Sequence, residues 1–317
     1  MLSRVADSLY WMSRYLERAE HTARVVNVNL NLTLDRAPAD AGRHWGRLLT
    51  SLPDPPSWHV RAAGSGDERT TVDLANRESI AASIGAAREN ARQVREEISS
   101  EMWEEINRLH LRVQQHQPVA SELTAGAHEF LSATVTGVHQ IQGVTDATMT
   151  HGEGWHFIEL GRYLERASST AALLDVQFRE APPADAGVPG VSEFVEWVGL
   201  LKSCCAFEAY CRHYTADVRP QRIAEFLVLN PGFPRSIHFA VARVQQALRN
   251  IAELTGRPAG SSERLAGRLR ASLDYGQIDE LMGELPSYLQ GIVRQATLIN
   301  AAVHQQYIAY PIDTGLA

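Results

Sequence analysis

Lysine is almost absent from this 317-residue chain: of its 30 basic residues only Lys202 is lysine, and the formal net charge is −7. No broad electrostatic grip on nucleic acid or an anionic membrane is expected, so any basic site must be local and built from arginine. Cysteine is scarce too. Cys204, Cys205 and Cys211 are odd in number and crowded together, which excludes a disulfide framework and suits a reducing compartment. No apolar run approaches the roughly 18 residues of a membrane span, and Met1 leads into Arg4, Asp7 and Arg14 rather than an apolar leader. A cytoplasmic location is expected. Runs of alternating β-branched residues are missing, as are a glycine-rich phosphate loop behind a strand and a nucleophile elbow. Gly152-Glu153-Gly154 lacks the glycine spacing of a nucleotide fingerprint and reads as a turn. What is present, 44% hydrophobic and 21% charged residues, suffices for one large or two ordinary domains without a metal or disulfide staple.

The apolar residues recur at helical spacing. Val5, Leu9, Met12, Leu16, Ala19, Ala23, Val26 and Leu30 form one stripe, predicting a long helix over residues 3–34. A short helix is expected near Trp45 to Leu49, then a loop from Pro53 to Asp67, rich in proline and glycine. The period resumes at Arg77 through Ile80, Ile84, Ala87, Ala91, Val94 and Ile98 and continues to Trp103, Ile106 and Leu109, reading as helix until Pro118. Ser121 to Ile141 is a further expected helix. An offset of 148 residues carries Leu9, Met12, Leu16, Ala19, Ala23, Val26 and Leu30 onto Phe157, Leu160, Leu164, Ala167, Ala171, Leu174 and Phe178, all apolar. Within this match Arg14-Tyr15-Leu16-Glu17-Arg18-Ala19 recurs unchanged as Arg162-Tyr163-Leu164-Glu165-Arg166-Ala167. A fainter echo pairs Ser79-Ile80 with Ser236-Ile237, each thirteen residues before an arginine, Arg92 and Arg249. These echoes predict an all-α fold: a long-helix bundle of two duplicated halves, 1–150 and 151–317, related by a pseudo-twofold and packed as one globular unit. Ala181 to Gly190 interrupts the second half, and Thr255 to Ser262 is a second loop.

With Leu16 at zero on a helical wheel, Glu17 falls near about 100°, Arg14 near 160° and Arg18 near 200°, opposite the apolar seam. A freely solvated face would tolerate any polar residues, yet this one is the same in both copies while His21 has become Ser169. Two readings fit. In the architectural one, Glu17 and Glu165 form buried ion pairs with arginines of neighbouring helices, and the long helices are contacted on both faces. In the other, the copies meet across a pseudo-twofold axis. Arg14, Arg18, Arg162 and Arg166 then outnumber the two glutamates, and the surplus holds a carboxylate or phosphate by forked contacts. Phe233-Pro234-Arg235-Ser236-Ile237 places proline at an expected first helical turn, making Arg235 and Ser236 candidate anion ligands beside open backbone donors. An ordinary helix start with Arg235 in an ion pair is the alternative there.

Other signals point to structure. His151, Glu153, His156 and Glu159, or Glu17, Glu20 and His21, could ligate a metal, but the spacing is loose and the second copy has Ser168 and Ser169, so no metal is expected. The charge-dense Arg88-Glu89-Asn90-Ala91-Arg92 reads as a paired, solvated face, and the cysteines and Trp11, Trp103, Trp155 and Trp197 as packing residues.

The repeated Arg-Tyr-Leu-Glu-Arg-Ala string, Leu9-Tyr10-Trp11-Met12-Ser13, Arg88 to Arg92 with Val94-Arg95-Glu96, and Phe226-Leu227-Val228-Leu229 leading into Phe233-Pro234-Arg235-Ser236 together resemble the bacterial alpha-E family. The resemblance runs from about Leu2 to beyond Val241. It places the family's Glu-Arg signature on Glu17-Arg18 and Glu165-Arg166, and a Glu-Ala-Tyr segment on Glu208-Ala209-Tyr210. It implies genetic association with a circularly permuted ATP-grasp ligase-like protein and a transglutaminase-like protein, and thus a part in modifying an amide-linked peptide or metabolite. The ATP chemistry would belong to the partner, and no cofactor is expected here. The leading expectation is a helical accessory protein binding an anionic peptide, a metabolite or the ligase itself. The alternatives are an enzyme using Glu17 or Glu165 as general base, or a purely structural homo-oligomeric scaffold.

Overall fold

The computed structural model describes residues 1–33, 44–46, 48–52, 68–115, 125–179, 191–215, 217–258 and 260–309, apart from the side chains at 68–78, 125 and 191–192. The loop at 53–67 and the linker at 181–190 lie outside these. Among the described residues there are helices and turns and no strand. The N-terminal elements are α1 (Ser3–Thr33), α2 (Glu68–Gln93), α3 (Ser100–Gln115) and α4 (Ala125–Thr148). Next come α5 (Glu153–Arg179), α6 (Val191–Ser203), α7 (Phe207–Tyr214) and α8 (Pro220–Ala224), which runs into a π-helical turn over Glu225–Leu229. Then α9 (Ile237–Thr255), α10 (Ser261–Asp274), the short α11 (Ile278–Leu281) and α12 (Leu285–Val303) complete the chain, the last ending in a π-helical turn over His304–Ile308. No helix among the described residues is long and apolar enough to cross a membrane.

The packing repeats. α1 lies against α2 and α4, and α3 touches both of these. In the same way α5 lies against α9 and α12, and α10 touches both. A shift of 158 residues carries the buried seam of α4, Leu131, Val138, Ile141 and Thr145, onto that of α12, Leu289, Ala296, Ile299 and Val303. The π-helical turn after α8 packs on α9 and α6 packs on α1, so this extra segment fills space between the two sets. One apolar cluster runs through both sets from Val5 to Tyr307.

The two repeated helices are the axis of the molecule, and they pack directly on each other. Leu9 lies beside Gly154, Ser13 and the Tyr10 carbonyl beside Gly161, and Glu17 beside Arg166, so α1 and α5 run parallel and nearly in register. The closest approach is at the equivalent positions 13 and 161. A Cβ on Gly161 would stand 2.3 Å from the Tyr10 carbonyl oxygen and 2.3 Å from Ser13 Oγ, so only glycine permits this crossing.

Two expectations need correction. The helix read as continuous from Arg77 to Leu109 breaks at residues 94–99. Ser99 Oγ accepts the Met102 N–H at 3.1 Å and starts α3, while Val94 and Ile98 stay buried inside the turn, so the apolar period runs on through the break. Pro234 is not in the first turn of α9. Ser236 is the N-cap, accepting from the Phe239 N–H at 3.0 Å, and Pro234 and Arg235 precede it. Gly256, at φ +62°, ends α9 in the left-handed conformation a C-terminal glycine favours.

Candidate functional site

The charged face of α1 is buried against α5, and each copy's glutamate is met by the other copy's arginine. Arg166 forks onto Glu17 with Nε at 2.6 Å and Nη2 at 2.8 Å. Reciprocally, Arg18 Nε donates to Glu165 Oε1 at 2.7 Å and Arg14 Nε to Glu165 Oε2 at 2.7 Å. The exchange forms two seams, one on each side of the α1–α5 pair.

The Glu165 seam is short. Arg14 also donates to Asn300 Oδ1 of α12 at 2.7 Å and to the Tyr10 hydroxyl at 3.2 Å, with its guanidinium 4.9 Å from the Trp11 ring centre. Arg18 lies over Tyr15 at 5.5 Å. Burial alone would raise the Glu165 carboxyl, but Arg14 and Arg18 hold it below the usual carboxylate range.

The Glu17 seam departs from this arrangement at two positions, 159 and 235. The position equivalent to Trp11 is Glu159, and it draws Arg162 away: Arg162 Nη1 pairs with Glu159 at 2.8 Å instead of reaching Glu17. Arg243 of α9 joins it at 2.7 Å. Arg235 takes the vacated place, 3.6 Å from Glu17 and 2.8 Å from Glu20 Oε1. Gln142, which corresponds to Asn300, donates to Glu17 at 3.1 Å. Glu20 also pairs with Arg24 and with His139 Nε2 at 3.1 Å. Arg24 in turn donates to the Ser203 carbonyl at 2.7 Å and to Cys205 Sγ at 3.5 Å.

Burial would raise Glu17, but Arg166, with Arg235 beyond it, holds it at about 2. Glu20 is likewise buried and is kept well below the ordinary range by Arg235 and Arg24. His21, adjacent in sequence, is pushed down to about 4 by burial and by Arg24, so it is neutral near pH 7. Arg235 is lowered by its own burial and by Arg24, because three guanidiniums here face two carboxylates. Three buried polar atoms in this region have no protein partner: Glu20 Oε2, His21 Nε2 and Ser169 Oγ.

All the arginines and glutamates singled out from the sequence thus enter the seams, but not as one group. Arg14, Arg18 and Glu165 lie on one side; Arg162, Arg166, Arg235 and Glu17 lie on the other. Ser236 belongs to neither, since its buried hydroxyl caps α9 and donates to the Asn230 carbonyl. Sequence reasoning missed Arg24, Gln142, His139, Arg243 and Asn300. Arg24 sits four residues after Glu20 on the motif helix, a legible ion-pair spacing; the others carry no local signal. A cavity of about 10 Å³ beside Gln142 and Arg162 has room for about one water. Among the described residues no group of three or more His, Cys, Asp or Glu side chains could hold a metal ion. Cys204 is buried, whereas Cys205, read as a packing residue, is exposed on a turn with φ +50°.

A family model described as "Alpha-E: a predicted alpha-helical domain with a conserved ER motif" matches residues 1–308. Among curated relatives, uncharacterized protein Mb2597 of Mycobacterium bovis is 25% identical over 91% of this chain and 35% of its own length. Uncharacterized protein Rv2567 of Mycobacterium tuberculosis is 24% identical over the same shares. The chain therefore spans about a third of the length of these relatives. No solved structure matches it.

Proposed function

Since the chain belongs to the Alpha-E family, we propose that it is a helical accessory protein of an ATP-grasp amidoligase-type system, binding an anionic peptide, a metabolite or the ligase-like partner through its arginine seams. The observation that carries this reading is the surplus of guanidinium over carboxylate. Among the described residues, seven arginines (14, 18, 24, 162, 166, 235 and 243) converge on four glutamates (17, 20, 159 and 165) along one helix pair. A guanidinium-rich seam favours an anionic ligand, and guanidinium forks suit carboxylates best. The length of the relatives adds support, because the same helical unit there is one part of a much longer chain.

The chemistry weighs against Glu17 or Glu165 as a general base. A carboxyl held at about 2 is ionised at pH 7 but a poor proton acceptor, and guanidiniums already occupy both oxygens of Glu17 and of Glu165. The test mixes the purified protein with the ligase-like and transglutaminase-like proteins and follows complex formation and ATP-dependent amide formation on an acidic peptide. Turnover that requires this chain together with a partner supports the accessory role. Turnover by this chain alone, lost in Glu17→Gln, would overturn it in favour of an enzyme.

A further inference from the structure

We propose that an open recess where α9 meets α10 is a docking site for a tryptophan or tyrosine side chain presented by a partner protein. The site lies apart from the arginine seams and does not depend on them.

The two helical sets supply the comparison. An offset of 157 residues carries Ile80, Ile84, Ala91 and Val94 onto Ile237, Val241, Leu248 and Ile251 of α9, all buried. An offset of 160 carries Met102, Ile106, Leu109 and Val113 of α3 onto Ser262, Ala266, Leu269 and Leu273 of α10, again all buried. The connection is therefore three residues longer in the second set. In the first set the junction is filled from within: Trp103 packs against the core, with the guanidiniums of Arg88 and Arg95 each 5.6 Å from its ring centre. In the second set all three are replaced. Gln245 stands for Arg88, Ala252 for Arg95 and Glu263 for Trp103. Where the indole and its guanidinium neighbour are gone, the surface holds a recess of about 600 Å³, lined by Arg249, Ala252, Glu253, Gly256, Arg257 and Glu263.

The lining specifies the guest. Ala252 and Gly256 leave room for a ring, and Arg249 and Arg257 bring guanidiniums, which are attracted to an aromatic face. Arg257 is anchored for this, donating to the Gln306 carbonyl at 2.9 Å and lying 5.7 Å from the Tyr307 ring centre. Glu263 is only loosely tied, 3.5 Å from Arg249, so its carboxylate is able to accept from an indole N–H or a phenol O–H, which phenylalanine lacks. On the same end of α9, Leu254 is 57% exposed where the first set has Glu97. An exposed leucine close to an arginine-lined recess suits a protein contact, where tryptophan, tyrosine and arginine carry most of the energy. A free aromatic molecule would be covered on one side only, whereas small-molecule sites enclose most of their ligand.

The probe is a blocked Gly/Ser peptide in which 5-fluorotryptophan is flanked by two leucines, titrated into the full chain and followed by fluorine NMR and by amide shifts. Saturable binding at about 1 mM is expected, as a single anchored side chain allows, with shifts at 249–257 and 261–263. A tyrosine peptide should bind comparably, a phenylalanine peptide about threefold or more weakly, and an alanine peptide not at all. Glu263→Trp, which installs the residue of the first set, should weaken binding about tenfold or more while leaving the thermal midpoint within a few degrees. Glu263→Ala keeps the recess open and should bring the tryptophan peptide down to the phenylalanine level. Shifts centred on 88–103, equal binding of the alanine peptide, or no saturable binding would overturn the site. Blocked 5-fluorotryptophan binding as tightly as the peptide would assign the recess to a small molecule instead. Self-association abolished by Tyr275→Ala, which removes a ring 85% exposed at the far end of α10, would assign it to a second copy of the chain.

Discussion

Around Glu165, two arginines of one helix close on a single carboxylate, and Arg14 also holds Asn300 and the Tyr10 hydroxyl. Around Glu17, the same six-residue string is met by side chains from α4, α5 and the approach to α9. The difference traces to two positions. Where the first copy offers Trp11 as a flat platform for Arg14, the second offers Glu159, which captures Arg162. Where the first copy has Glu78, the second has Arg235, which supplies the guanidinium Glu17 would otherwise lack. One seam is thus a clamp on one carboxylate, and the other is the same clamp extended by further charged side chains.

The contrast is sharpest for Glu17→Gln against Glu165→Gln. Neutralising Glu17 strands Arg166 in a buried place, while Arg235 keeps Glu20, and should lower unfolding free energy by about 3–5 kcal/mol in urea titrations. Glu165→Gln should cost less, because Arg14 keeps Asn300, Tyr10 and the Trp11 ring. Equal losses would mean that the extra residues around Glu17 add nothing to its hold.

Next in size is the crossing point. Gly161→Ala puts a methyl group against a backbone carbonyl that cannot rotate away, for an expected loss of about 2–3 kcal/mol. Ser13→Gly, at the equivalent position, should cost less, since it removes the 2.9 Å bond from Ser13 Oγ to the Tyr10 carbonyl and adds the flexibility of a helix-interior glycine without a steric clash. A Gly161→Ala protein as stable as the parent would show that the helices can separate there.

The smallest effect depends on pH. His21 has no counterpart in the second copy, and its folded value of about 4 lies below the ordinary 6.5. Between those values the unfolded chain binds more protons, so the stability contribution is full above about pH 6.5 and is lost as pH falls toward 4. Linkage gives about 2 kcal/mol lost between pH 7 and pH 5. His21→Ser, which installs the residue of the second copy, should flatten that part of the profile. Glu17 acts lower: stability present above about pH 4.5 is lost as pH falls toward 2.

The helical class could be read from the chain because a buried stripe repeats every three or four residues, whereas the charged string printed twice left the pairing of α1 with α5 as one of two readings. The seams could not be divided from sequence. Arg166 reaches a glutamate 149 residues away, and nothing local to Arg162 says it will turn to its own helix. The wall residues Gln142 and Asn300 are single polar positions in otherwise ordinary helices. The break at 94–99 was hidden because the turn buries Val94 and Ile98 as a helix would. Ser236 was misplaced because proline before an apolar run looks like a first turn whether or not a serine cap follows.

The parallel docking of α1 on α5 also bears on how the chain is made. Glu17 emerges 149 residues before the arginine that neutralises it, and at about 5–20 residues per second that is roughly 7 to 30 s of synthesis. During that interval the first helix carries a charged face without its α5 partners, so it stays hydrated and loosely held. Assembly of the axis is therefore a late event, waiting on the ribosome rather than on diffusion.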